Sequence, residues 1–312
     1  MQDFHDFDIY IHIGFHRTGT TFLQEKIFPF LVTTNYIPQY EIIDILTDIT
    51  TTDPYLWDKL NYQNKIYAAL SKFLQKDKKN ILSAECLVGF PFTKGINRTI
   101  IINRLKSLFP SAKLIVGFRE QCSMLTSVYS LYIREGGTLK FSSLINKYNN
   151  RSFGYLIYDN LIETIDLDYY KYSLFFMQIK ELFSEENIYF FLMEEFIERP
   201  GKSIQKLCQF IEADWNEQSI ERLNKGYSPG SMNSIRTVNK LTRGFKNDSL
   251  IKNLQKAYFN KLLNYWSLRA GGMMNSDIQL FIKNYYTEDN FKLAETLPAY
   301  ATYIKNFNKN ER

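Results

Sequence analysis

The sequence predicts an α/β fold of three layers: a central parallel sheet between two layers of helices, with a helix-rich C-terminal part. Short apolar runs recur at residues 9–13, 81–82, 113–118 and 187–192. Each is strand-sized, and helical patterns separate them. Strands alternating with helices pair in parallel and are buried on both faces. The chain has 312 residues, 45% of them hydrophobic and 23% charged, a composition that supplies a sizeable core and excludes a disordered or disulfide-stapled chain.

The elements follow in order. Ile9-Tyr10-Ile11-His12-Ile13 is a buried strand closed by Gly14. Gly19-Thr20-Thr21 opens a helix with Phe22, Leu23, Ile27 and Phe28 on one face, and Pro29 marks its end. Ile81-Leu82 is a second strand, and residues 96–108 are helical through Ile100, Ile101, Leu105 and Leu108. Residues 113–118 form a third strand with Arg119 at its carboxyl end, followed by a helix carrying Leu125, Val128, Tyr129 and Tyr132. A helix over 169–183 leads to the fourth strand. Beyond it the chain is mainly helical, with Gly226, Pro229 and Gly230 in an irregular stretch. No Ser/Gly/Pro-rich linker and no repeat divides the chain, so residues 1–312 are expected to form a single domain.

Ligands of such sheets bind outside the carboxyl ends of the strands. That rim carries Gly14-Phe15-His16-Arg17-Thr18-Gly19-Thr20-Thr21, a strand-to-helix loop with the spacing of a phosphate-binding P-loop. Glycines let the backbone wrap an anion, and amides at the helix start bind its oxygens. The hydroxyls of Thr18, Thr20 and Thr21 are further candidate donors. The P-loop lysine that reaches the β/γ-phosphates of a nucleoside triphosphate is replaced by Thr20. The basic residue is Arg17 instead, inside the loop, which suits one phosphate with an adjacent anionic group.

These residues resemble the 3′-phosphoadenosine 5′-phosphosulfate (PAPS)-dependent sulfotransferases. Ile13 to Gln24 looks like their 5′-phosphosulfate loop, with Arg17 where the family more often has lysine. A second match is Val116-Gly117-Phe118-Arg119, with Ser127 eight positions after the arginine. In the family this arginine and serine bind the 3′-phosphate, and a guanidinium fork with a hydroxyl suits phosphate oxygens. The stretches 129–140, 187–200 and 288–294 also look like family segments. Residues 226–240 take the place of the loop that closes over the adenine, with Arg236 the candidate for its charge.

The resemblance implies a P-loop-type fold and transfer of a sulfuryl group from PAPS to an acceptor hydroxyl, leaving 3′-phosphoadenosine 5′-phosphate (PAP). The acceptor needs a general base. Glu85 ends the second strand at the ligand rim, where bacterial members carry similar Ser-Glu sequences, and is the candidate. A carboxylate that only orients Arg17 or a substrate hydroxyl is the competing assignment. The three histidines, His5, His12 and His16, are not spaced for a metal, and none is expected. His12 reads as structural and His16 as lying on the loop's outer side, where it could contact the acceptor. An ATP-dependent P-loop kinase and a non-catalytic nucleotide-binding relative are the alternatives; the first predicts the lysine that Thr20 replaces.

The rest bounds the partners. A net charge of +5 is compatible with anionic ligands but supplies no nucleic-acid arm. The densest basic stretch, residues 76–79, is expected to cap a helix end. Cys86, Cys122 and Cys208 have no paired spacing and read as reduced, mostly buried thiols. No apolar leader precedes the first strand, and no run is long enough to span a membrane, so the expected location is cytoplasmic. The acceptor is expected to be a glycan, a glycan precursor or a small metabolite. Tyr129, Tyr132, Phe90 and Phe92 are candidates to line its site, although most of the 25 Phe and 22 Tyr fill the core.

Overall fold

A computed structural model describes residues 4–89, 95–145, 165–216, 229–242, 274 and 276–309. Five parallel strands form one sheet in the order β2-β3-β1-β4-β5: β1 (Asp8–Gly14), β2 (Thr34–Ile37), β3 (Lys79–Ser83), β4 (Lys113–Phe118) and β5 (Ile188–Leu192). β1 pairs β3 from Asp8↔Lys79 to His12↔Ser83, and β4 from Tyr10↔Lys113 to Gly14↔Gly117. The first strand is therefore central, and the loop that follows it stands at the middle of the carboxyl rim.

β2 was not expected from the sequence. Thr-Asn-Tyr-Ile is an edge strand with only its last residue buried, so it lacks the apolar run that marks the central strands. The other edge, β5, has its Phe190 carbonyl covered by the Tyr300 hydroxyl at 2.8 Å.

Side chains of the strands alternate between two cores. One takes Ile9, Ile11, Ile13, Leu114, Val116, Phe118, Phe190 and Leu192. Against it pack α2 (Ile43–Thr51), α3 (Lys59–Leu70), α4 (Arg98–Leu108), α5 (Gln121–Arg134), α6 (Phe141–Ile145), α7 (Ser173–Phe183), α10 (Pro229–Thr242), α11 (Ser276–Thr296) and α12 (Ala301–Phe307). The opposite core takes Tyr10, Ile81, Ile115 and Phe191. It is closed by α1 (Thr20–Phe22), which runs straight into a π-helical turn (Leu23–Ile27), and by α8 (Met193–Glu198) and α9 (Pro200–Ile211).

Several expectations are corrected. Pro229 and Gly230 open α10 rather than an irregular stretch, while Gly226 lies outside the described residues. Residues 76–79 cap no helix: α3 ends at Leu70, Lys76 pairs with Asp6 at 2.6 Å, and Lys79 opens β3. The three cysteines are half-buried. Tyr129 and Tyr132 belong to the core; their hydroxyls shape the turn after α5, Tyr129 donating to the Leu139 carbonyl and Tyr132 accepting from the amides of Thr138 and Leu139. Phe90 and Phe92 lie outside the described residues.

The closing helix supports the rim from below. Asp289 of α11 accepts from the Tyr172 amide at 2.8 Å and the Ser173 hydroxyl at 2.5 Å, fixing the start of α7. Tyr172, fully buried, then donates through its hydroxyl to the Arg119 carbonyl at 3.0 Å.

His12 occupies β1 on the Tyr10 face, fully buried, with Nδ1 2.7 Å from Ser83 Oγ and its ring 5.2 Å from that of Phe28. Burial pushes its pKa down to about 3 from an ordinary 6.5. The unfolded chain therefore takes up a proton at this residue that the folded chain refuses. Stability is present above the unfolded value and is lost as pH falls toward the folded one. Relative to His12→Gln, wild type should lose about 1.4 kcal/mol per pH unit between about pH 6 and about pH 4. Urea unfolding of both proteins across that window measures the difference, and parallel curves would contradict a buried neutral imidazole.

Gly117 generates a second prediction. A Cβ there would lie 2.5 Å from Phe191 Cζ and 2.9 Å from Thr18 Oγ1, so neither the ring below nor the loop above leaves room. Gly117→Ala should cost about 1–3 kcal/mol of stability and displace the loop, read as a lowered urea midpoint with an unchanged slope.

Candidate active site

The Gly14–Thr21 loop is folded by its own contacts. The Phe15 amide donates to the Gly117 carbonyl at 3.2 Å, and the Phe15 ring is fully buried between Tyr169, Tyr172 and Phe175. Thr18, also fully buried, donates its hydroxyl to the Phe15 carbonyl at 2.6 Å. It settles over the neighbouring glycines of β1 and β4: a Cβ on Gly14 would meet Thr18 Oγ1 at 2.9 Å. Arg17 and Gly19 both adopt left-handed backbone, with φ of 74° and 80°. At Gly19 a side chain would also strike Met193 Sδ at 2.8 Å. Arg17 is not a glycine and holds that conformation against a local cost of about 1–2 kcal/mol.

The left-handed turn at Arg17 sets two contacts. Its carbonyl accepts from Arg119 Nη1 at 3.3 Å, and its side chain reaches α5, where Nε donates to Ser127 Oγ at 2.9 Å. The residues picked out after the first and third expected strands, separated by about a hundred positions, thus meet in one cluster. Arg119 is held on its other side by Glu194, at the carboxyl end of β5, with Nε 3.6 Å from the carboxylate. Burial raises the Glu194 pKa, and the Arg119 charge opposes that shift. The second Glu194 oxygen accepts from the Glu120 amide at 3.2 Å, and Glu120 itself caps the start of α5.

The cluster is cationic. Burial pushes the Arg17 pKa down, the charges of Arg134 and Arg119 push it the same way, and Glu85 opposes them. A guanidinium still remains charged, so the cost appears as repulsion that a bound anion would relieve. Among the described residues, the buried Arg119 Nε has no hydrogen-bond partner. Amides at the start of α1 have no partners inside the helix. Together these groups form a donor set suited to a ligand with two anionic ends.

Glu85 opens the short helical turn Glu85–Val88 directly after β3. One carboxylate oxygen accepts a hydrogen bond from the Thr20 hydroxyl; the other lies 4.0 Å from His16 Nε2. Two of the three threonine hydroxyls considered as phosphate donors are therefore engaged within the protein, Thr18 with the loop and Thr20 with Glu85, while Thr21 is half-buried at the helix start. Arg236 lies on α10, half-buried, with its guanidinium hydrogen-bonded to the Tyr129 hydroxyl.

Two contributors, Arg134 and Glu194, were not assigned site roles from sequence, and the approach of His16 to Glu85 was not foreseen. Arg134 is seven residues from Ser127, two turns along the same face of α5, a spacing that could have marked it. Glu194 lies two residues beyond Leu192, which ends β5, at the same rim. His16 touches Glu85 only because β1 and β3 are neighbours, which no local pattern records.

A sulfotransferase domain model matches residues 8–265. Among solved structures, a sulfotransferase from Alicyclobacillus acidocaldarius is similar at 15% identity, covering 83% of this chain and 96% of its own, with a TM-score of 0.49. The mouse sulfotransferase SULT7A1 complexed with PAP is similar at 14% identity, over 97% and 90% of the two chains, with a TM-score of 0.45. No curated protein sequence matches the chain. With a family match over most of its length, laid on a parallel α/β sheet whose loop and rim carry a cationic cluster, the chain belongs to the sulfotransferase domain family, whose chemistry is sulfuryl transfer.

Proposed function

We propose that the protein transfers a sulfuryl group from PAPS to an acceptor hydroxyl. One observation carries the choice of donor. Arg17 of the loop and Ser127 of α5 are 2.9 Å apart, with Arg119 against the loop backbone, so one ligand can place one anionic end on each set. PAPS has such ends, and when bound it supplies the activated sulfuryl group.

The chain's own residues divide the remaining tasks. Amides at the start of α1 and the Arg17 guanidinium hold the 5′ end. Arg119 and Ser127 hold the 3′-phosphate, with Arg119 fixed by Glu194 and by the Tyr172 hydroxyl on its carbonyl. Gly14 and Gly19 serve by lacking side chains, and Thr18 by bracing the loop. Arg17 cannot release its proton and acts as a fixed charge where negative charge develops on the leaving phosphate. Glu85, beside the loop and partly exposed, takes the acceptor's proton. Arg236, at the Tyr129 hydroxyl, is assigned to close over the nucleoside. The acceptor presents a hydroxyl of a carbohydrate or a small metabolite.

The donor is tested first by thermal melts. PAP and PAPS should raise the melting temperature by mass action, and ATP with magnesium should not. The decisive measurement is a calorimetric cycle with PAPS and adenosine 5′-phosphosulfate. Wild type should prefer PAPS by roughly 10- to 150-fold, the worth of one charge-assisted hydrogen bond of about 1.5–3 kcal/mol. Arg119→Ala should remove that preference by weakening PAPS alone. Equal weakening of both nucleotides would show that Arg119 does not read the 3′-phosphate.

A further inference from the structure

The donor assignment leaves the approach of His16 to Glu85 without a role. His16 Nε2 and Glu85 Oε2 are 4.0 Å apart, with side chains 16% and 31% exposed. That separation is too long for a direct hydrogen bond. It does fit a single oxygen at about 2.8 Å from both, with the two partners at roughly a right angle around it. Both groups are held in place. Glu85 is fixed through its other oxygen by the buried Thr20 hydroxyl. His16 lies between the buried Phe15 ring and the left-handed turn at Arg17.

We propose that His16 and Glu85 form the seat of the attacking oxygen, His16 Nε2–H donating to that oxygen while the oxygen's own proton points at Glu85 Oε2. The assignment rests on the sulfuryl-transfer reading above. A carboxylate oxygen facing Nε2 favours the tautomer with its proton on that nitrogen. In the reaction the O–H bond breaks and its proton passes to Glu85, while an oxygen–sulfur bond forms. The bond from sulfur to the bridging phosphate oxygen breaks, and its electron pair leaves with the phosphate. His16 keeps its proton throughout and serves as a catalytic residue that fixes the direction of attack. A seat built from one donor and one acceptor selects a neutral hydroxyl, which can answer both; an anionic oxygen has no proton to give Glu85.

Two readouts test the seat. In the free protein, 15N NMR of the His16 ring should show the proton on Nε2. Burial lowers the pH at which the ring protonates and the Glu85 charge raises it, so Glu85→Gln should lower it further. The second readout uses enzyme in excess over PAPS with water as acceptor, following PAP release. His16→Ala should slow hydrolysis at least about tenfold, with PAP affinity kept within about threefold. His16→Gln, which presents an N–H at the same reach, should recover most of the loss. Glu85→Gln should cost about 10²–10⁴-fold, and adding His16→Ala should cost no more than about threefold beyond it, since the two act as a unit. A proton on Nδ1, no hydrolysis above buffer, equal rates for wild type and His16→Ala, or fully multiplicative losses would each overturn the seat. Failure of wild type to bind PAP is a different outcome and would overturn the donor assignment beneath it.

Discussion

Two neighbouring strands set glycine against glycine at their carboxyl ends, Gly14 closing β1 and Gly117 next to last in β4, and the candidate site rests on that bare patch. With no side chains there, Thr18 can sink until it is fully buried and turn its hydroxyl back to the Phe15 carbonyl. The loop is then pinned at both ends, by Phe15 in an aromatic pocket and by Thr18 on the glycines. The residues between them are forced outward. The left-handed backbone of Arg17 follows from this, and with it the aim of its side chain toward α5. The cationic arrangement is thus a packing consequence before it is an electrostatic one.

Electrostatics then explains why the cluster needs support from far along the chain. Guanidiniums brought together with partial burial repel one another, and a rim built of loops alone would relax by swinging them into water. Here each is tethered: Arg17 by Ser127, Arg119 by Glu194 and, through its carbonyl, by Tyr172. Tyr172 is in turn set by Asp289 on the long C-terminal helix. That chain of contacts gives the helix-rich C-terminal part a role at the rim that its distance in sequence conceals.

What the sequence reveals follows from which interactions are local. The central strands β1 and β4 announce themselves because burial on both faces demands continuous apolar runs, and the loop because left-handed turns and close backbone packing demand Gly14 and Gly19. Edge strand β2 does not, since one exposed side lets Thr34, Asn35 and Tyr36 be polar. The threonine hydroxyls illustrate a different limit. Thr18 and Thr20 have the right chemistry for phosphate, yet their partners, the Phe15 carbonyl and Glu85, are chosen by the fold. Arg119 and Ser127 were legible only as a family pattern, and their meeting with Arg17 depends on β1 and β4 being adjacent.

The central position of β1 has a consequence for how the molecule assembles. Its partners are β3 and β4, so the pairing Asp8↔Lys79 closes a loop of some seventy residues and Tyr10↔Lys113 one of about a hundred. Such closures are entropically unfavourable until many contacts form at once, which makes high-contact-order sheets slow to fold. The β1 segment, made before both of its partners, must wait for chain synthesised much later before it can enter the sheet. Until then Gly14 and Gly117 are strangers and the loop has no floor. The cationic cluster is therefore a late product of folding, and a ligand bound there would act selectively on the finished molecule, slowing its unfolding more than it hastens its formation.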